Sequence, residues 1–268
     1  MSGFALAAPA AGFYIFAAFV QWLVATGRRQ NSRGLVRSCT AIAALLHIGY
    51  VAATMFKGDE INLAFLQVGS LISLVITLLL LFSSWRKPVD NLLIGLLPMA
   101  AVILLTASIF HQIVIFTELS YGLTWHILLS ILAYSTFTIA SMQAVLVMLQ
   151  DQHLRKHQTR GLVQALPSLQ TMDVLLFEMI WLGMILLTAA FAIGWPHVID
   201  IKGQHLIHKV AFGCIGWLVF AGLLFGRYRF GWRGVIASRW TLVGTGFLVM
   251  SYFGSRFVLE VILHVSPL

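Results

Sequence analysis

Nine histidines stand in a chain of which only 10% is charged, and they are unevenly placed. His153 and His157 share one loop, and His47 lies near the middle of an apolar run. His111, His126, His197, His205, His208 and His264 fall at or near the ends of apolar runs that the charge pattern places on the outer side. Imidazole is the commonest protein ligand for haem iron and transition metals, and it titrates near neutral pH. At membrane depth an ionisable side chain costs free energy unless it has a partner, which makes it a functional candidate. The alternative reading is a set of interfacial residues hydrogen-bonded to neighbouring helices.

The most ordered of these signals is the run Trp125-His126-Ile127-Leu128-Leu129-Ser130-Ile131-Leu132-Ala133-Tyr134. His126, Ser130 and Tyr134 recur every four residues and share one helix face, so this polar stripe must look into a bundle. Trp125 reads as an interfacial anchor, which places His126 about one turn inside the outer surface. A second stripe, Thr40, His47 and Thr54, repeats at intervals of seven. His111 and Glu118, two helical turns apart, form a further possible pair. Arg256 and Glu260 at i,i+4 allow a salt bridge; alternatively Arg256 serves as a cationic partner for a propionate or another anionic ligand. There is no activated nucleophile, no paired-carboxylate arrangement and no HExxH motif, so hydrolysis is not expected.

These residues must be positioned by helices in a membrane. The 268 residues are 60% hydrophobic with a mean hydropathy of +0.92, whereas a soluble domain is charged at about a quarter of its positions. Apolar segments at about 4–26, 36–56, 61–83, 91–116, 122–149, 174–194, 207–226 and 238–263 are each long enough to cross a bilayer core of about 30 Å. The expectation is an all-α polytopic bundle of about eight transmembrane helices, a single integral membrane domain over residues 1–268. The first segment lacks a basic leading region and a small-residue cleavage site and reads as a retained helix. Pro167 should interrupt helix in the longest connection, about 150–173, which is expected along the cytoplasmic surface. Cys39 and Cys214 form no CxxC motif or disulfide framework.

The net charge of +8 follows the loops. Four clusters, Arg28/Arg29/Arg33/Arg37, Arg86/Lys87, Arg155/Lys156/Arg160 and Arg227/Arg229/Arg233/Arg239, alternate with neutral or acidic connections around residues 57–60, 117–120 and 200–202. By the positive-inside rule the clusters are cytoplasmic and both termini are periplasmic. The excess charge is thus a topology signal, and no nucleic-acid partner is expected.

Several short strings stand in order along the chain: Leu66-Gln67-Val68-Gly69-Ser70-Leu71-Ile72-Ser73, Trp125-His126 through Tyr134, Leu166-Pro167-Ser168-Leu169, His208-Lys209, Gly231-Trp232-Arg233-Gly234 and Tyr252-Phe253-Gly254-Ser255. Together they resemble the cytochrome c assembly membrane-protein family, the haem-handling CcsA/CcmC/HemX type, and most closely its YpjD-like branch. The resemblance implies a bacterial inner-membrane protein that holds haem b near the periplasmic face. It implies His126 as an axial ligand, His264 or His208 opposite, and Ser130 and Tyr134 orienting the site. Haem, membrane lipid and other cytochrome c maturation or transporter membrane proteins are the expected partners. Family members that deliver haem carry a tryptophan-rich WGxxWxWD segment, where this chain reads Gly194-Trp195-Pro196-His197-Val198-Ile199-Asp200. The family's intramembrane His of the seventh span falls on about Phe225. The resemblance therefore implies a haem-handling factor in cytochrome c biogenesis or haem homeostasis, and not a complete haem ligase. The rival reading is an accessory subunit or partner of a membrane ion transporter without haem.

Overall fold

The computed structural model describes residues 2–30, 32–57, 60–110, 112–116, 120–156, 165–197 and 207–254. Within them the chain forms eight α-helices: α1 (Ser2–Ala25), α2 (Arg33–Met55), α3 (Phe65–Ser83), α4 (Leu93–Ile109), α5 (Tyr121–Arg155), α6 (Leu169–Gly194), α7 (Ile207–Phe230) and α8 (Val235–Val249), the last continued by a π-helical turn at Met250–Gly254. Among the described residues seven helices are long and apolar enough to cross a membrane. The protein is a polytopic membrane helix bundle. In hydrocarbon every backbone polar group must be satisfied within the protein, and helices do this inside each segment.

Three boundaries differ from those expected from the sequence. Helix α5 runs on through Arg155, so its 35 residues span about 50 Å and leave the bilayer core at the basic end, with His153 and Arg155 in its last turn. Helix α6 begins two residues after Pro167, at Leu169, where the connection was expected to run on to about residue 173. Helix α4 stops at Ile109 because Phe110 turns extended (φ −92°, ψ 92°). The chain beyond it contributes a strand instead of two further helical turns.

That strand belongs to a small antiparallel sheet ordered β1 (Phe56–Lys57), β2 (Glu60–Asn62), β3 (Ile115–Phe116). Asn62 organises it: its side-chain oxygen accepts from the Ala64 and Val114 amides at 3.1 and 2.9 Å, and its Nδ2 donates to the Gln112 carbonyl at 3.1 Å. His111 and Glu118 lie outside the described residues, and the strand between them rules out the continuous helix that would have set them two turns apart.

The chain divides into two compact units, residues 1–117 with 152–168 and residues 118–151 with 169–268. In the first, α1 packs between α2 and α4 and α3 packs against both, giving a four-helix arrangement. Its basic end is tied together: Arg33 pairs with Asp90 at 3.4 Å and Arg37 donates to the Ser84 carbonyl. Arg28 and Arg86 lie over the rings of Trp22 and Phe82, as expected where aromatic side chains and basic residues meet an interface.

The second unit is built from α5 to α8 around stacked Phe137 and Phe220, ring centroids 4.1 Å apart. Each ring lies on a glycine of a neighbouring helix, Phe137 on Gly183 and Phe220 on Gly244. Such small residues let membrane helices approach closely.

Candidate functional site

His126 sits in the second turn of α5, half-buried, and its Nδ1 lies 2.7 Å from the Ala190 carbonyl oxygen on α6. A carbonyl has no proton, so Nδ1 must carry the hydrogen and donate. In the neutral ring Nε2 is then the nitrogen with the lone pair, the form in which histidine binds a metal. The ring lies against Gly194 with Nδ1 nearest, and an added Cβ there would come within 2.7 Å of Cε1. Tyr121 and Trp125 flank this end of α5 on its exposed side, edge to face at 6.1 Å.

One turn further, Ser130 is half-buried on the same stripe. Tyr134, two turns from His126, donates from Oη to the Leu248 carbonyl of α8 at 2.8 Å. The π turn starts two residues later; there the amide partner shifts by one residue, a geometry found often at functional sites. Tyr252 and Phe253 of that turn pack on the Tyr134 ring at 6.1 and 6.4 Å. Ser251 Oγ donates to the Lys209 carbonyl in the first turn of α7 at 2.7 Å. The stripe of α5 therefore faces into the second unit, toward α6 and α8.

His47 has a different setting. It is fully buried in the first unit, with Nδ1 3.2 Å from Tyr14 Oη and Nε2 2.8 Å from Ser70 Oγ. Both ring nitrogens are thus engaged. Thr40 and Thr54 share its face as the spacing predicts: Thr40 is buried and bonds the Val36 carbonyl, and Thr54 bonds Gln67 Oε1 at 3.2 Å. Gln67 Nε2 reaches Tyr50 Oη at 3.3 Å. The stripe acts as a polar seam joining α1, α2 and α3. Replacing His47 by Ala opens a cavity and breaks two bonds of about 0.6 kcal/mol each, so a loss of about 2–4 kcal/mol is expected. Unfolding of the purified protein in a detergent series measures it. An unchanged midpoint would place the stabilising contacts of this seam elsewhere.

Sequence reasoning missed a second polar cluster, at the other end of the second unit. Asp173, buried on α6, pairs through Oδ2 with Arg227 Nη1 at 2.9 Å and accepts the Gly234 amide on Oδ1 at 2.8 Å. Arg227 also donates to the Trp232 carbonyl at 3.1 Å and lies 4.3 Å from the centroid of the Phe177 ring. The turn it holds carries Gly231 and Gly234 at φ 68° and 59°, a conformation that favours glycine. A lone Asp four residues past the helix start gave no periodic signal; Gly231-Trp232-Arg233-Gly234 was the visible trace.

His264 and Arg256 lie outside the described residues, as do His157 and His205. His208 is the second residue of α7. Phe225 is exposed on α7, edge to face with Phe230. Among the described residues no group of three or more His, Cys, Asp or Glu could hold a metal ion by protein ligands alone.

A family model described as cytochrome c assembly protein matches residues 35–263. The chain belongs to that family. Among its relatives, the inner membrane protein YpjD of Escherichia coli strain K12 is 30% identical over 247 residues, 90% of this chain and 93% of that protein. An uncharacterized 28.8 kDa protein of Azospirillum brasilense is 27% identical over 140 residues, 52% of each chain. Protein HemX of Brevibacillus brevis is 24% identical over 131 residues, 48% of each chain. No solved structure matches. With its apolar helices and its YpjD relative, this family member is a multi-pass protein of the bacterial inner membrane.

Proposed function

We propose that this chain binds haem b at the end of the second unit that holds His126, and that it handles haem in cytochrome c biogenesis or haem homeostasis. The observation that supports the reading is the His126 Nδ1 contact with the Ala190 carbonyl, which fixes the tautomer whose Nε2 carries the lone pair that a metal takes. Bound haem would supply an iron that takes two axial ligands and changes oxidation state. The chain's own residues hold and orient it: His126 as one ligand, His208 or His264 as candidates for the other, Ser130 and Tyr134 along the same stripe. The stretch from Gly194 to His205 has one tryptophan and no phenylalanine or tyrosine, which favours holding or relaying haem over completing its attachment to an apocytochrome. Other maturation proteins of the same membrane are the partners this role requires. The visible spectrum of the detergent-purified protein, oxidised and reduced, tests the reading. Two imidazole ligands predict a low-spin b-type signature; a colourless protein after growth with ample haem would refute it.

The same reading puts the His126 end in the periplasm, with both termini, because the basic clusters occupy the opposite helix ends. In a chain with Cys39 and Cys214 replaced by alanine, a cysteine at Ser120 is expected to react with an impermeant maleimide added outside spheroplasts. One at Gln152 is expected to react only after the membrane is opened. The reverse pattern would invert the topology and remove the site from the periplasm.

A further inference from the structure

The polar stripe of α2 meets a second one on α3. Gln67, Ser70, Ser73 and Thr77 follow one another at intervals of three or four residues, so they share one helix face, and none is more than 3% exposed. The two stripes run antiparallel and in register: Thr54 bonds Gln67, His47 bonds Ser70, and Arg37 donates to the Ser84 carbonyl. From α1, Tyr14 enters the same seam on the other side of the His47 ring, and Thr77 is its further hydrogen-bond partner. Arg37 and Thr54 are 17 residues apart on α2, about 25 Å of helix. The polar column therefore crosses most of a bilayer core of about 30 Å.

Packing alone does not account for what stands at its centre. Each hydrogen bond between membrane helices contributes only about 0.6 kcal/mol, whereas an ionisable side chain at this depth is costly and commonly marks a path for protons or ions. The partners of His47 are also unlike those of His126. A carbonyl holds His126 in one tautomer, but both ring nitrogens of His47 face hydroxyls, Tyr14 Oη at 3.2 Å and Ser70 Oγ at 2.8 Å. A hydroxyl both donates and accepts, so either neutral tautomer of His47 is fully bonded. The imidazole is a two-state element between two groups that can each hand it a proton or take one.

We infer that the first unit carries protons across the membrane along this column, with His47 as the relay; the inference stands independently of the haem reading. In one state Tyr14 donates to Nδ1 and the Nε2 hydrogen is given to Ser70. As a proton reaches Tyr14 from the Thr77 side, Tyr14 passes its own to Nδ1, Nε2 releases its hydrogen to Ser70, and the Ser70 proton moves on. Each atom ends with the number of hydrogens it began with, except that the ring has changed tautomer. Rotation of the hydroxyls and of the ring restores the first state. The side chains that form the column from Thr40 to Thr54 and from Gln67 to Thr77 include no carboxylate, so a cation that keeps its charge meets no counter-charge there, whereas a proton passes by exchange.

Proton flux into vesicles tests this. The purified protein is reconstituted into liposomes that trap a pH-sensitive dye, and a potassium gradient with valinomycin sets the potential. Wild-type vesicles are expected to take up protons faster than protein-free ones, and more slowly in heavy water. His47→Gln keeps an amide that can bond both hydroxyls but cannot relay a proton, and Tyr14→Phe keeps the ring without the hydroxyl. Both are expected to lose the flux while eluting as the wild-type protein does. Ser70→Ala, a smaller change, gives the same reading should either prove too unstable to purify. Ser141→Ala, which removes a hydroxyl bonded to Thr245 in the second unit, is expected to keep it. Wild-type uptake no faster than that of protein-free vesicles would overturn the inference. So would a flux that survives in His47→Gln or Tyr14→Phe, or one that Ser141→Ala abolishes as well.

Discussion

Replacing His126 by alanine is expected to abolish the low-spin haem spectrum while leaving the protein abundant in the membrane. The two outcomes separate because different forces govern them. Insertion depends on apolar spans and internally bonded helices, to which one half-buried imidazole near a helix end contributes little. The proposed axial ligation would depend on a single nitrogen, Nε2, and no neighbouring side chain on the stripe would replace it, since Ser130 and Tyr134 offer hydroxyls. Gly194→Ala provides a second probe that leaves the imidazole in place. The new methyl group would occupy the space of the His126 ring, so the ring must leave its contact with the Ala190 carbonyl. Loss of that orienting hydrogen bond typically costs about 10- to 100-fold in metal affinity. Haem content measured per mole of purified protein is therefore expected to fall to nothing in His126→Ala and to drop steeply in Gly194→Ala. A His126→Ala protein with wild-type haem content and spectrum would exclude this residue as a ligand and make it an interfacial histidine.

Much of this architecture was legible because the bilayer imposes it. A span needs about 20 apolar residues, and alternating basic clusters mark the ends. The polar stripes were legible for a related reason: in a helix with an apolar exterior, residues four or seven apart that can hydrogen-bond must face inward. Thr40, His47 and Thr54 do so, as do His126 and Tyr134. Spacing does not say which helix receives the stripe. His47 and His126 look alike as intramembrane histidines in the sequence, yet one has both nitrogens engaged within the first unit and the other is oriented by a carbonyl in the second. The short sheet was hidden because Phe56-Lys57 and Ile115-Phe116 are too short to show alternation, and Ile115-Phe116 pairs only with chain distant in sequence. The end of α4 was misplaced for the same reason, since Phe110 to Phe116 is apolar enough to extend a helix until Asn62 captures it.

The Asp173 cluster leads to the largest expected change in stability. Asp173→Ala is expected to cost about 3–5 kcal/mol, because it leaves the Arg227 guanidinium without its carboxylate and the Gly234 amide without its acceptor. The lower part of that range applies, since a third of the Arg227 side chain is exposed and solvent can offset part of the loss. Arg227 in the last turn of α7 also complements that helix's dipole, and this term survives the substitution. The converse variant, Arg227→Met, leaves a carboxylate in a nearly closed site, where the unpaired charge is costlier than the guanidinium. Replacing both, as Asp173→Leu with Arg227→Met, removes the charges together and is expected to recover much of the loss, as apolar substitutes for buried pairs often do. The four proteins form a cycle whose coupling is expected at about 1–3 kcal/mol; purely additive midpoints in a detergent-unfolding series would show that the pair holds nothing together. Position separates this cluster from the proposed site. Asp173 and Ala190 are 17 residues apart on one helix, about 25 Å, so the folded fraction of each variant is expected to keep the wild-type haem spectrum. With Asp173 gone, the turn at Gly231–Gly234 loses the bond that fixes it to α6, and limited proteolysis of inside-out vesicles is expected to cut there first.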